Sequence, residues 1–129
     1  MHIRDGYAIQ NAISEGFLVV VISGGKSDGV IKRLEYLGIK EIHTGIKDKS
    51  TTFKRICKQY KLEVKETLYM GDDYPDLETM KIAGLSCCPF DAAHEIREIS
   101  DYVSAFKGGE GCVRDVIEQT LAVQDKWNK

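Results

Sequence analysis

The chain has no long hydrophobic run. Its longest apolar segment, Phe17 to Ile22, is far shorter than the roughly 20 residues that a membrane-spanning helix needs. The start of the sequence also lacks the apolar stretch of a signal peptide. Among 129 residues, 18 Lys and Arg face 20 Asp and Glu, for a formal net charge of -2. Because nucleic acids and anionic membranes attract basic surfaces, we expect neither as a partner.

The sequence also has no Cys-x-x-Cys pair, so a zinc site is not expected. Its four cysteines are Cys57, Cys87, Cys88 and Cys112. Two of them are adjacent, which is poor geometry for a bridge between them. We interpret all four as reduced thiols of the core, which predicts a cytoplasmic protein.

Short apolar segments alternate with amphipathic ones along the whole chain. Strands are predicted at 17–23, 40–44, 67–70, 85–88 and 102–105. Helices are predicted at 5–15, 27–37, 48–60, 75–83, 92–99 and 112–123. The first strand is an almost uninterrupted Val-rich run, which is typical of a strand buried on both faces. This alternation predicts one α/β domain, with a parallel sheet and helices on both of its faces.

Polar residues follow two of these strands, and a lysine begins the helix between them. Right-handed crossovers bring the loops after parallel strands to one edge of the sheet, where ligands of such sheets bind. We therefore expect these side chains to converge there. They are Ser23-Gly24-Gly25, Lys49, and Gly71-Asp72-Asp73 with Asp76 one turn later.

Phosphoryl transfer is the chemistry that needs such a set, because a phosphoryl group requires hydrogen-bond donors, a fixed cation and a divalent metal. Ser23 and the backbone after it can donate hydrogen bonds, and Lys49 can supply the cation. Asp72 can bind Mg²⁺, which typically takes one or two carboxylates plus waters. Asp73 and Asp76 can complete the metal shell or orient the lysine.

Each of these features also has a purely structural interpretation. Ser-Gly-Gly can be only a turn, Lys49 a solvated helix residue, and Asp73 an N-cap. However, three acids within five residues repel one another unless a cation or solvent relieves them. Taken with the other two loops in this order, the run favours the functional interpretation.

These residues resemble the haloacid dehalogenase (HAD) superfamily of phosphatases, whose fold is Rossmann-like. In that superfamily a Ser or Thr ends a strand, as Ser23 does. A lysine follows, as in the run from Gly45 to Ser50 that contains Lys49. An acidic run comes next, as in Gly71 to Asp76. The order and spacing of all three fit.

The resemblance extends to one branch, the 3-deoxy-D-manno-octulosonate 8-phosphate (KDO 8-P) phosphatases of lipopolysaccharide precursor synthesis. That family carries an Asn/His-x-Arg-Asp-Gly-Tyr segment, matched by His2 to Tyr7. It also carries a late Gly-Gly-x-Gly-x-x-Arg, matched by Gly108 to Arg114. The similarity covers essentially the whole chain, and the combination of motifs is specific although no single motif is.

The resemblance implies a role for each matching residue. Asp72 would bind Mg²⁺, while Lys49 and Ser23 would bind the phosphoryl group. Family substrate-binding positions fall on His2, Ile3, Arg4, Asp5, Gly6, Gln10, Gly24, Gly25, Arg33 and Lys49. Some members have Arg at the positions of Gln10 and Gly25, so the set that contacts the sugar acid can differ here. Arg33 can also be a solvated helix residue.

One superfamily feature has no counterpart in the sequence. The nucleophile of the superfamily is the first Asp of an Asp-x-Asp motif on a strand, and its second Asp is the general acid and base. Arg4-Asp5-Gly6 is not a substitute, because no apolar strand precedes it. We therefore expect this chain by itself to be inactive or nearly so.

In the superfamily the strand with that motif is central, between the strands predicted at 17–23 and 67–70. Three arrangements are open. The two strands can pair directly, a partner chain can fill the gap, or the chain is a fragment of a longer protein. We favour the fragment.

Two further functions are open beside the leading one. A related domain fused to some sialic-acid cytidylyltransferases serves assembly, which suits the absence of Asp-x-Asp but not the retention of Ser23, Lys49 and Asp72. A phosphatase for another sugar-acid phosphate is the other. The family resemblance also implies a homotetramer, in which the tail with Trp127 can reach a neighbour's active site or simply fray.

Overall fold

Helices and parallel strands alternate along the described part of the chain. The computed structural model describes residues 3–25, 27–108 and 110–123, with side chains for 5–25, 27–108 and 110–120. The helices are α1 (Ile3–Ser14), α2 (Asp28–Tyr36), α3 (Lys49–Gln59), α4 (Leu77–Ile82), α5 (His94–Ile99) and α6 (Cys112–Val123). The strands are β1 (Val20–Ile22), β2 (Glu41–His43), β3 (Leu68–Met70), β4 (Leu85–Cys88) and β5 (Tyr102–Val103).

The predicted order of elements is confirmed, and four of the five strands are shorter than predicted while β4 has the predicted bounds. Two short 3-10 turns, Val64–Glu66 and Tyr74–Asp76, were not anticipated. The second one contains Pro75 and leads directly into α4. All four cysteines are buried and free. In the described ranges, no helix has the length and apolar character to cross a membrane.

The strands form two parallel sheets rather than one. β1 pairs with β2, in the register Val21 to Ile42. The second sheet has the order β3-β4-β5, with Tyr69 opposite Ser86. The α/β class with parallel strands is thus confirmed. The two sheets are divided between β1 and β3, the strands that the superfamily separates by its central strand. Direct pairing of β1 with β3 is absent from the described residues, so each of these strands lies at a sheet edge.

The burial of the strands follows from this division. β4 has a neighbour on each side, and Ser86, Cys87 and Cys88 are buried. β1 has one neighbour; its residues are only half-buried, and Leu18 just before it is 44% exposed. The expectation that the first strand is buried on both faces is therefore wrong. A strand with an open edge gives its apolar side chains less cover than a central strand does.

Each sheet has its own core, and two helices join them. One cluster contains Ile9, Leu34, Leu37 and Ile39 beside β1 and β2. The other contains Met80, Cys88, Ala92 and Ile96 beside β4.

Helix α6 contributes Val113 and Ile117 to the first cluster, while its Asp115 accepts a hydrogen bond from Tyr102 Oη of β5 at 2.6 Å. Helix α3 contacts β1, and its Phe53 packs on Tyr69 of β3. Helix α3 therefore contacts both β1 and β3 and holds these two strands next to each other.

Candidate active site

A cavity of about 230 Å³ lies where the edge strands of the two sheets end. Ile22 is the last residue of β1 and Met70 the last of β3, and both line it. Lys49, Gly71, Asp72 and Asp76 line it as well. The structure thus brings the predicted lysine and two of the three predicted acids to the carboxyl edge of parallel strands, where the topology predicts a ligand site.

Lys49 is the first residue of α3, and an ion pair with Asp76 holds its side chain in place. Asp48 caps this helix, since its carboxylate accepts hydrogen bonds from the Thr51 backbone at 3.2 Å and the Thr51 hydroxyl at 2.7 Å. The Lys49 ammonium reaches Asp76 Oδ1 at 3.0 Å, and its side chain is only 15% exposed. A cation at a helix N-terminus opposes the helix dipole, so Asp76 offsets that cost. The ammonium favours an anion in the cavity that Lys49 lines.

Asp76 is the most heavily hydrogen-bonded group in the site. Its Oδ1 accepts hydrogen bonds from Lys49 Nζ at 3.0 Å and Tyr69 Oη at 2.6 Å. Its Oδ2 accepts from the backbone N–H groups of Asp72 at 3.0 Å and Asp73 at 3.4 Å. Burial alone would raise the pKa of this carboxyl, but the hydrogen bonds outweigh it and hold the pKa below the ordinary Asp value. Asp76 therefore stays ionised, and its oxygens are committed to protein donors.

Asp72 lies in a different environment from Asp76. The residue is exposed and lines the cavity, and its backbone is held by Asp76 on one side and by the Ala93 N–H, at 3.0 Å, on the other. Loss of solvation at the cavity wall, followed by the charge of Asp76, raises the pKa of its carboxyl. A bound cation would stabilise the charged form of this carboxylate, and the charged form is the one that binds a metal ion.

Asp73 caps the 3-10 turn that precedes α4. Its carboxylate accepts a hydrogen bond from Tyr74 N at 2.8 Å at the start of the 3-10 turn. Within the described ranges, no group of three or more acidic, His or Cys side chains forms a complete metal site. Asp72 nevertheless fits Mg²⁺ as one hard oxygen ligand, because this ion commonly takes one or two carboxylates and completes its shell with waters and substrate phosphate.

Gly71 lets the acidic loop pass close to Asp76. A Cβ at this position would lie 2.5 Å from Asp76 Cβ and 2.7 Å from Met80 Sδ, closer than packed atoms tolerate. The glycine is therefore required by close approach. It allows Asp72 to follow directly after β3 while Asp76 folds back beneath the loop.

Ser23 lies next to the cavity-lining Ile22, and its loop is tied to the segment that leads to α3. Ser23 Oγ accepts a hydrogen bond from Gly25 N at 3.2 Å, which leaves the hydroxyl proton available to donate. The Ser23 carbonyl accepts from Ile46 N at 3.0 Å. Gly24 is exposed. The loop has the turn structure considered from the sequence. Ser23 itself is not among the residues that line the cavity, although its neighbour Ile22 is.

The residues predicted on α1 and α2 lie elsewhere in the fold. Gly6 is buried against Leu37, and Arg33 Nη2 would be 3.6 Å from a Cβ at Gly6. Gln10 and Arg33 are exposed. His2 and Trp127 lie outside the described residues, as do the side chains of Ile3 and Arg4.

Asp5 is held by the first turn of α6. It is 1% exposed, and its Oδ1 accepts a hydrogen bond from Arg114 N at 2.9 Å, in the first turn of α6. An acid at this helix end satisfies a free N–H and complements the dipole. This packing gives Asp5 a structural role, and its contact with the substrate stays a prediction.

Several site residues were not identified from the sequence. Tyr69 bonds Asp76, and Pro89, Gly108 and Cys112 line the cavity. Gly108 belongs to the late glycine motif, and its N–H donates to Asp91 Oδ1 at 2.8 Å. That motif was the available signal, but the sequence pattern alone did not place it at the carboxyl edge of the sheet. For Tyr69, the only signal was a polar group on an apolar strand just before the acidic run.

Comparison with known proteins identifies the family. Residues 37–116 match the family of haloacid dehalogenase-like hydrolases. A KDO 8-P phosphatase of Escherichia coli K12 is 33% identical over 128 residues, which are 99% of this chain and 68% of that protein. The crystal structure of the Yersinia pestis KDO 8-P phosphatase superposes with a TM-score of 0.95 at 32% identity, over 98% of this chain and 68% of that one.

A second structure is informative about ligands. The KDO 8-P phosphatase of Moraxella catarrhalis was solved with a magnesium ion, a phosphate ion and KDO. It superposes with a TM-score of 0.94 at 33% identity, over 97% of this chain and 72% of that one. The chain therefore belongs to the haloacid dehalogenase-like hydrolases, and among them to the family of the KDO 8-P phosphatases.

Proposed function

We propose that this chain forms the phosphate- and metal-binding part of a Mg²⁺-dependent phosphatase that hydrolyses KDO 8-P to KDO and phosphate. The observation that carries the proposal is the Lys49–Asp76 ion pair beside Asp72 in one cavity at the carboxyl edge of parallel strands. The similarity along the whole chain to phosphatases of this substrate supports the same reaction.

Each of three residues has a role in this proposal. Lys49 binds the phosphoryl oxygens, since its ammonium is fixed at a helix N-terminus and faces the cavity. Ser23 donates its hydroxyl proton to the same group. Asp72 holds Mg²⁺, which when bound would neutralise phosphoryl charge. Asp76 is left out of the metal shell, because its oxygens accept four hydrogen bonds from the protein.

Substrate recognition is proposed for the loop that follows Ser23 and for residues of α1 and α2. Gly24 and Gly25 offer exposed backbone close to Ser23. Gln10 and Arg33 offer exposed polar groups on α1 and α2 for the sugar acid, with Gly6 making room beside Arg33. In a version of the chain extended by an Asp-x-Asp strand, a rise in KM without a change in kcat for Arg33→Ala would support this role, and an unchanged KM would refute it.

The metal role is best tested by a matched pair of variants. Asp72→Asn and Asp73→Asn change neighbouring, exposed acids in the same loop, but only Asp72 lines the cavity. Calorimetric titration of the chain with Mg²⁺, with and without inorganic phosphate, should lose the metal signal for Asp72→Asn and keep it for Asp73→Asn. Equal loss in both variants, or in neither, would refute the assignment.

Catalysis is proposed to need a group that this sequence does not contain. No Asp-x-Asp occurs among its residues, so the chain supplies no paired aspartates for attack and proton transfer. We expect the 129-residue chain to release little phosphate from KDO 8-P. A version that carries an Asp-x-Asp strand ahead of residue 1 should gain Mg²⁺-dependent activity that Asp72→Asn abolishes. Ordinary turnover by the chain alone would overturn this proposal.

A non-catalytic assembly domain is the second candidate, favoured by that same absence of Asp-x-Asp. It predicts that the chain binds neither Mg²⁺ nor phosphate, and that the extended version stays inactive. A panel of other eight- and nine-carbon sugar-acid phosphates, assayed with the extended version, separates KDO 8-P from related substrates.

Location and assembly are proposed from the family resemblance. We infer a cytoplasmic homotetramer, with four free cysteines in keeping with a reducing compartment. Light scattering coupled to size exclusion tests the assembly, and a monomer at micromolar concentration would refute it. Cell fractionation tests the location.

A further inference from the structure

Asp76 receives a second side-chain hydrogen bond on the oxygen that pairs with Lys49. Tyr69 Oη donates to Oδ1 at 2.6 Å, while Lys49 Nζ lies 3.0 Å from the same atom. The other oxygen is held by two backbone N–H groups of the acidic loop. The carboxylate thus joins strand β3, helix α3 and the loop that carries Asp72.

The Tyr69 ring is itself held by the helix that carries Lys49. Phe53 lies one turn after Lys49 in α3 and is buried. Its ring packs edge-on against Tyr69, with centroids 5.8 Å apart and an angle of 81°. Such a geometry is favourable for aromatic pairs. The contacts thus run from Lys49 to Asp76, from Asp76 to Tyr69, and from Tyr69 to Phe53, which is again in α3. We call this closed set of contacts the circuit.

This circuit answers a problem that the lysine poses. A lysine side chain is a point charge on a flexible four-carbon stem, so it needs an anchor to hold one position. A single carboxylate can rotate or accept water in place of the ammonium. The Tyr69 hydroxyl and the two backbone donors fix the orientation of Asp76, and with it the direction from which Oδ1 meets Lys49.

We propose that Tyr69 is a positioning residue, whose hydroxyl orients Asp76 so that Lys49 is held ready for a phosphoryl group. The proposal rests on the phosphate-binding role of Lys49 proposed above. It differs from a packing role, because packing needs the ring alone and positioning needs the hydroxyl.

The chain offers a matched control for this distinction. Tyr102 Oη donates to Asp115 Oδ2 at 2.6 Å, the same length as the bond from Tyr69 to Asp76. Tyr69→Phe and Tyr102→Phe each remove one hydroxyl that bonds a carboxylate and keep the ring. Only the first touches the partner of Lys49. Urea denaturation of both variants checks that they remain folded.

Two measurements on the full chain test the proposal. The first follows the Lys49 ammonium by ¹⁵N NMR, where protected lysine N–H groups exchange slowly enough to be seen, with assignment by Lys49→Ala. The signal should broaden or vanish in Tyr69→Phe and persist in Tyr102→Phe. The second measures the Kd of inorganic phosphate, which should rise roughly threefold to tenfold in Tyr69→Phe only, as expected for losing part of one charge-assisted hydrogen bond.

The outcomes separate this inference from the proposed function. An unchanged Lys49 signal in Tyr69→Phe, or equal loss in both Phe variants, overturns the positioning role. Phosphate binding that Lys49→Ala leaves intact overturns the role of the lysine instead. Because the NMR measurement needs no ligand, it decides the position of Lys49 even if phosphate does not bind.

Discussion

Replacement of Asp76 by alanine tests whether this residue holds the site together. Asp76 is 3% exposed, and its carboxylate accepts hydrogen bonds from one tyrosine, one lysine and two backbone N–H groups. Alanine removes the acceptor and leaves Lys49 without its partner in a mostly buried position. The backbone donors of the acidic loop lose their partners as well.

The expected cost is large for one substitution. Removing one partner of a buried ion pair costs about 3–5 kcal/mol. Lys49 keeps some access to water through the cavity, so the lower end applies, and we expect about 3 kcal/mol for Asp76→Ala. That is a substantial share of the ~5–15 kcal/mol that stabilises a typical domain. With a urea m-value of about 1–3 kcal/mol/M, the urea concentration at which half of the protein is unfolded should fall by roughly 2 M.

Urea denaturation followed by circular dichroism measures this change, with Asp73→Ala as the control. Asp73 is exposed and caps one 3-10 turn, so its loss should cost only about 0.5–1 kcal/mol. Equal destabilisation by the two variants would refute the central role of Asp76.

The pH dependence gives a second check on the same residue. The pKa of Asp76 is lowered in the folded state, so its stabilisation is full above the ordinary Asp pKa and is lost as the pH falls through the folded value. Stability should therefore decline below about pH 4 more steeply in the wild type than in Asp76→Asn. Parallel pH profiles would contradict the assignment.

Three further substitutions test other parts of the site. Gly71→Ala should destabilise by about 1–3 kcal/mol, measured by thermal unfolding, because the new methyl group would overlap Asp76. Asp5→Ala should cost about 1–2 kcal/mol through loss of the bond to Arg114 N, without weakening phosphate binding in a titration. The raised pKa of Asp72 means that its charged form is disfavoured by folding, so Asp72→Asn should raise the melting temperature at pH 7 in EDTA. That gain should shrink as the pH falls, since the wild-type carboxyl then takes up its proton; a lower melting temperature for the variant would refute this.

The sequence pattern was enough to predict which elements form, because the causes are local. Periodic apolar residues and caps such as Asp48 specify the helices, and Gly38 ends α2 with a positive φ of 95° that favours glycine. The strands were predicted too long at 17–23 and 102–105. An apolar run shows where a strand can form, whereas its length depends on how far a neighbour pairs with it.

The candidate site was predictable to the extent that topology collects residues at one edge. Lys49, Asp72 and Asp76 meet there because parallel strands end on the same side. Tyr69 was not predictable, since its hydroxyl matters only where Asp76 folds back toward β3. Asp5 was assigned to the substrate because its segment matches a family motif, and its burial against α6 became evident only from the packing.

The sequence by itself therefore determined the order of the elements, the family and the identity of the charged groups, all of which follow from local patterns and motifs. Only the tertiary structure decided what each acid does. Asp72 faces a cavity, Asp76 is committed to four donors, and Asp73 caps a turn, although all three lie within five residues. The physical reason is that the pKa and availability of a carboxylate depend on burial and on nearby donors, and these come from distant parts of the chain.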